Sequence, residues 1–213
     1  MLDRRLVHML GRISRFPISR SPITARVAGT LAVLLAAVAV VAVATGTFPR
    51  SACLGDVDGD GVRELLMVTG NPLEQFGRQM TVFLVDRKSW TGLRGLNPWK
   101  VASGDVDGDG RSEILVGVWK TTRLDPVFDR RLFVYAWSEQ GPVPRWLGSR
   151  LSRPFVDFGV EDADGDGGLE LVAVELERSG AFSTRAYKWS GFGFEAVDGT
   201  EGQPGDGLAG RVP

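Results

Sequence analysis

The 213-residue chain has a single cysteine, Cys53, and a single histidine, His8. With no second cysteine, an internal disulfide is excluded, so an exported domain would need another staple. His8 lies in the amino-terminal leader, which removes Ser-His-Asp and Cys-His chemistry from the rest of the chain. Capped amphipathic helices are also missing beyond the amino-terminal apolar run. Nor does the body of the chain carry a basic stripe: residues 51–213 hold 18 basic and 25 acidic side chains, a formal net of −7. Phosphate backbones call for the opposite sign, so nucleic acid is not an expected partner.

Charge is concentrated at the start. Residues 1–26 carry Arg4, Arg5, Arg12, Arg15, Arg20 and Arg26 against the single acid Asp3. The next 23 residues, up to Arg50, are uncharged, and 27–44 is nearly unbroken Ala, Val and Leu. A run of that length without a polar face fits a bilayer span better than a buried helix. Arginines on its amino-terminal side place the leader in the cytoplasm and the remainder outside. Two outcomes stay open: a retained single-pass anchor, or a signal segment cleaved near Ala42-Val43-Ala44 and a secreted product. Cys53 does not read as a lipid anchor, because Arg50 stands where a bacterial lipidation site needs a Leu-like residue. The expected organisation is a basic cytoplasmic leader (1–26), a transmembrane helix or signal segment (27–47), an extracytoplasmic repeat domain (51–198) and a disordered Gly-rich tail (199–213).

Self-similarity inside 51–198 is direct. Gly55-Asp56-Val57-Asp58-Gly59-Asp60-Gly61-Val62-Arg63-Glu64 aligns without gaps with Gly104-Asp105-Val106-Asp107-Gly108-Asp109-Gly110-Arg111-Ser112-Glu113 and with Glu161-Asp162-Ala163-Asp164-Gly165-Asp166-Gly167-Gly168-Leu169-Glu170. The first aspartates are 49 and 57 residues apart, a period that suits propeller blades or solenoid turns. Around each loop the pattern predicts four strands. In the first unit (51–97) these are 52–54, 65–69, 81–85 and 90–93; in the second (98–153) 99–103, 114–119, 132–137 and 145–148. The third (154–198) has 155–160, 171–176, 185–189 and 194–197. Gly, Asn and Pro fall between them. Tyr135-Ala136-Trp137-Ser138 and Tyr187-Lys188-Trp189-Ser190 repeat a Tyr-x-Trp-Ser pattern in the second and third units.

The loops read as calcium sites. Calcium takes six to eight oxygen ligands at about 2.3–2.6 Å, which aspartates at loop positions 1, 3 and 5 supply when the backbone curls. Glycines at positions 4 and 6 allow that curl. Position 7 offers a backbone carbonyl (Val62, Arg111, Gly168), and position 9 is glutamate in all three copies. Four acids in nine residues repel one another until a divalent cation joins them. An EF-hand is excluded, because it needs glutamate at position 12, where Met67, Val116 and Ala173 stand. Asp and Gly also favour metal-free turns, but three copies matched at four acidic positions exceed what turn formation requires.

These Asp-x-Asp-Gly-Asp-Gly-x-x-Glu segments resemble FG-GAP or VCBS-type repeats, the calcium-loop blades of integrin-α-like propellers, over roughly 51–198. The resemblance implies an all-β fold of three propeller-like four-stranded blades, which here follow the one amino-terminal transmembrane helix read from the apolar run. It also implies up to three Ca²⁺ sites. The first would use Asp56, Asp58, Asp60, the Val62 carbonyl and Glu64; the second Asp105, Asp107, Asp109, the Arg111 carbonyl and Glu113. The third would use Asp162, Asp164, Asp166, the Gly168 carbonyl and Glu170. Three units are fewer than closed propellers use, so the open edges call for dimerisation, another repeat protein or a tightly curved three-unit assembly.

With most acids assigned to the loops, the chain is read as a membrane-anchored binding or scaffold module and not an enzyme. The alternative is a cell-envelope carbohydrate-binding module whose Trp119, Tyr135, Trp137, Trp146, Tyr187, Trp189, Phe192 and Phe194 stack on sugars; at strand positions the same rings serve as packing between units. The connection 120–131, bearing Lys120, Arg123, Arg130 and Arg131, is a second place where a protein partner could dock.

Overall fold

A computed structural model describes residues 48–197, apart from 86, 124, 149 and 150. The leader, the 27–47 segment and the tail therefore lie outside the described residues. Among the described residues no helix is long and apolar enough to cross a membrane. All of them fall within one unit, Thr45–Pro213.

Twelve strands build three four-stranded antiparallel sheets, each a simple meander. The first holds β1 (Phe48–Gly55), β2 (Glu64–Gly70), β3 (Gln79–Phe83) and β4 (Trp90–Gly92). The second holds β5 (Pro98–Gly104), β6 (Glu113–Lys120), β7 (Asp129–Ser138) and β8 (Gly141–Leu147). The third holds β9 (Phe155–Glu161), β10 (Glu170–Leu176), β11 (Phe182–Trp189) and β12 (Phe194–Ala196). Every strand expected from the sequence is present, with shifted ends. β1 starts earlier than expected and takes in Pro49, where the pairing with β2 slips by one residue between Pro49 and Ser51. Proline is tolerated there because the slip removes the need for its missing N–H. β7 starts at Asp129, so the 120–131 connection shortens to 121–128.

Side-chain parity explains how the sheets stack. Successive residues of a strand point to opposite faces, so a strand that is apolar throughout must be covered on both sides. Ile114, Val116 and Val118 of β6, with Phe133 and Tyr135 of β7, pack with Leu66, Val68, Met80 and Val82 of the first sheet. The interleaved Leu115, Leu132 and Val134 pack with Phe155, Phe158, Leu171, Ala173 and Tyr187 of the third. The middle sheet is thus the shared wall of two cores. Gly117 is required on that wall: a Cβ there would come within 2.6 Å of the Trp99 ring and 2.8 Å of the Phe158 ring.

Polar links to the first strand of the next sheet join neighbouring sheets. The Val101 N–H donates to Ser51 Oγ at 3.0 Å, and the Gly77 N–H to the Pro98 carbonyl at 3.0 Å. Between the second and third sheets Lys100 is paired with Asp157. Within the third sheet, buried Glu175 accepts from the Tyr187 hydroxyl and pairs with Arg185.

The 121–128 connection is held from inside. Arg131 is only 1% exposed; its guanidinium donates to Asp125 Oδ2 at 2.8 Å and to the Val127 carbonyl at 2.7 Å. Arg130 lies over the Trp119 ring, 4.9 Å from its centroid, and near Trp99 at 5.8 Å. Two of the four cations expected to line this connection are therefore packed into the domain. Cys53 sits inside β1 against the first core, where burial pushes its thiol up to about 12. A thiol so placed is inert packing.

Candidate metal centres

The three Asp loops all occur at the same place in their sheets, between the first and second strands: 56–63, 105–112 and 162–169. Antiparallel pairing of those strands closes each loop to its base. Gly55 faces Glu64, Gly104 faces Glu113 and Glu161 faces Glu170. The glutamate at position 9 is therefore the first residue of the returning strand.

Within each loop the carboxylates hold the backbone in one shape. The position-1 aspartate accepts twice: Asp56 Oδ1 from Gly59 N–H at 2.8 Å and Oδ2 from Gly61 N–H at 2.9 Å. Asp105 takes Gly108 and Gly110 at 2.8 and 2.9 Å, and Asp162 takes Gly165 and Gly167 at 2.7 and 3.1 Å. Those glycines have φ between 75 and 89°, the left-handed region that a Cβ disfavours. Position 5 caps the turn: Asp60, Asp109 and Asp166 each accept from the N–H of position 7, that is Val62, Arg111 and Gly168, at 2.8, 2.9 and 2.8 Å.

Position 9 closes the loop from beneath. Glu64, Glu113 and Glu170 are each almost fully buried. Their Oε2 atoms accept from Val57, Val106 and Ala163 N–H at 3.0, 3.2 and 2.9 Å. The extra methylene of glutamate lets it reach both that N–H and the aspartates above. Oxygens from Asp56, Asp58 and Glu64 lie within 4.8 Å of one another, as do those from Asp105, Asp107 and Glu113 and those from Asp162, Asp164 and Glu170. Two oxygens on one calcium ion, each at about 2.3–2.6 Å, are separated by at most roughly 5 Å. Positions 1, 3 and 9 therefore fit a shared cation. Asp60, Asp109 and Asp166 stand outside these groups, so the structure gathers three of the four acids expected in each loop.

Electrostatics point the same way. Burial, reinforced by the nearby Asp58 and Asp60 carboxylates, raises the Glu64 carboxyl despite its Val57 bond. Glu113 is pushed up to about 7, first by burial and then by Asp107. Carboxylates crowded until one holds its proton near neutrality are suited to binding a positive charge.

Neighbouring sheets brace the first two loops. Val57 is part of the first core and Val106 of the second, while the Ser112 N–H donates to the Asp56 carbonyl at 2.8 Å. In the third loop the matching residue, Ala163, is exposed.

Comparison with protein families bears on this geometry. The FG-GAP repeat family model matches residues 97–118. That segment is similar to an FG-GAP repeat. It comprises Asn97, all of β5, the second Asp loop and β6 as far as Val118. A search of the curated proteins yields no match. The matched segment contains the middle sheet's loop, and the other two loops share its bonds from position 1 to the two glycines, from position 5 to the N–H of position 7 and from position 9 to the N–H of position 2.

Basic side chains at the loops were not anticipated from the sequence. Arg87 reaches Asp58 Oδ2 at 2.9 Å, Arg145 reaches Asp107 Oδ2 at 2.5 Å, and Lys188 reaches Asp164 Oδ2 at 2.8 Å and Asp166 Oδ2 at 2.6 Å. For Lys188 a signal existed: it fills the variable place of the Tyr-x-Trp-Ser pattern, where the second unit has Ala136.

The aromatic rings go largely to packing. Tyr135 and Tyr187 are buried. Trp146 and Trp189 both pack edge-on against Phe194, with centroids 5.5 and 5.2 Å away. Trp137 lies against the first core, and Trp119 stacks with Phe76 and Phe128. Phe192, 92% exposed, is the ring of this set that stands in solvent.

Proposed function

We propose that the chain is an extracytoplasmic, calcium-braced FG-GAP-type module that presents a rigid blade surface to a protein partner, carried on the membrane by the 27–47 segment. The observation that supports it most is the recurrence of one carboxylate group, positions 1, 3 and 9, at the same turn of three stacked sheets. Such a placement makes the ion structural: it would tie the first two strands of each blade and relieve charge that the fold has brought together. In the first loop Asp56, Asp58 and Glu64 would hold it, with the corresponding residues in the others. Among the described residues each group is built of carboxylates, a donor set in keeping with a structural ion in a binding module.

Partner binding follows from the stacking. Only the middle sheet has another sheet on both faces; among the described residues the first and third sheets each have a sheet on one face alone. A second copy of the chain or another repeat protein would continue the stack, as repeat architectures do.

Full-length chain in excess chelator, then titrated with calcium while its melting temperature is followed, tests the proposal. Stabilisation by added calcium is expected, growing with the logarithm of its concentration, with affinities of about 10⁻⁴–10⁻³ M as in other extracellular modules. A melting curve indifferent to both calcium and chelator would refute the structural ion. Sedimentation with and without calcium tests self-association.

A further inference from the structure

The three loops share backbone geometry but not their cationic neighbours. Across from β2, β6 and β10 the register is the same: Leu65 pairs with Phe83, Ile114 with Tyr135 and Leu171 with Tyr187. The next residue out, Leu84, Ala136 or Lys188, therefore lies across from the position-9 glutamate. Only the third blade places a charge there.

Lys188 uses that position fully. Its Nζ is 2.6 Å from Asp166 Oδ2, 2.8 Å from Asp164 Oδ2 and 3.7 Å from Glu170 Oε1. An ammonium with three carboxylates around it occupies the kind of place a metal ion would take. By contrast, Arg87 and Arg145 each touch one aspartate oxygen. Either can swing into water without uncovering a second anion. The Lys188 ammonium cannot leave so cheaply, because withdrawing it frees three carboxylates at once.

Other features set the third loop apart. Asp162 and Asp164 are exposed where Asp56, Asp58, Asp105 and Asp107 are half-buried. Ala163 replaces the valine that anchors each of the other loops in a core. Looser bracing and an internal cation both reduce what a divalent ion would gain there.

We propose that Lys188 serves as the built-in cation of the third loop, so that the chain takes divalent ions at the first two loops and not at the third. Resting on the calcium reading above, the proposal changes its stoichiometry from three to two. The third blade then keeps its loop closed without calcium, while the first and second respond to it. Ammonium–carboxylate contacts of this kind are charge-assisted, and a divalent ion entering beside the ammonium meets like-charge repulsion.

The test is calcium titration of the full-length chain by calorimetry, with the loop-glycine amides followed by NMR. Two ions are expected, with Gly59, Gly61, Gly108 and Gly110 shifting and Gly165 and Gly167 remaining in place. Any third event should be weaker by about ten-fold or more. In Lys188→Met and Lys188→Gln a third ion of affinity similar to the others should appear, with Gly165 and Gly167 now shifting. Three comparable sites in the wild type would overturn the proposal, as would folded Lys188 variants that still bind two. No ion at any loop would overturn it together with the calcium reading, which separates that failure from failure of the lysine's role alone.

Discussion

Replacing Glu113 by glutamine should have opposite effects with and without calcium. In chelator at pH 8 the wild-type carboxylate is ionised in a place that favours its protonated form, since burial and Asp107 push it up to about 7 from an ordinary 4.5. Full conversion of that shift is about 3 kcal/mol. Water at the loop mouth screens part of it, which leaves about 1–2 kcal/mol of destabilisation for glutamine to relieve. Its amide oxygen can still accept the Val106 N–H that Glu113 accepts at 3.2 Å. A 150–250-residue domain moves by about 2–4 °C per kcal/mol, so the variant should melt about 2–8 °C higher than wild type in chelator. The pH dependence has a definite sign. Because the folded state holds this proton more tightly than the unfolded chain, chelated wild type should lose stability as pH rises from 4.5 to about 7, and the variant should lose less. With calcium the order reverses, as glutamine removes an anionic ligand from the second loop. Differential scanning fluorimetry in both conditions decides the matter. A variant that melts below wild type in chelator at pH 8 would refute the crowded-carboxylate account.

Phe158→Ala should cost about 3–5 kcal/mol in urea denaturation, since the ring is fully buried and packs edge-on against Trp99 and Phe155 between the second and third sheets. A loss below about 1 kcal/mol would mean that the second core is not packed as described. Arg131→Met should destabilise by about 3–5 kcal/mol, because it takes the guanidinium from Asp125 and the Val127 carbonyl in a buried setting. Hydrogen exchange of the 121–128 amides should rise with it, and unchanged exchange would show that Arg131 does not order the connection.

How far the chain itself discloses this molecule can be argued from particular residues. Alternation and β-branching between Gly- and Asp-rich turns located all twelve strands, because strand periodicity is a local property. The loops were equally plain: aspartates at positions 1, 3 and 5 with glycine at 4 and 6 leave little choice of backbone shape. The glutamate at position 9 could be named but not placed, since its reach depends on the β1–β2, β5–β6 and β9–β10 pairings. Arg131 read as a surface cation and is buried; nothing in its neighbours' identities foretold that Asp125 would fold back over it. The leader and the apolar 27–47 run belong to the sequence alone, as they lie outside the described residues.

Local order along the chain thus determined the repeat, the strand pattern and the chemistry of each loop. The tertiary structure decided which oxygens meet, that the middle sheet is walled by two cores, and that Lys188 stands at one loop where Leu84 and Ala136 stand at the others. The physical reason is separation in sequence. A loop's own carboxylates lie within nine residues and curl by backbone preference, whereas the cation facing them comes from a strand some twenty residues on, set in place only by the register of the sheet.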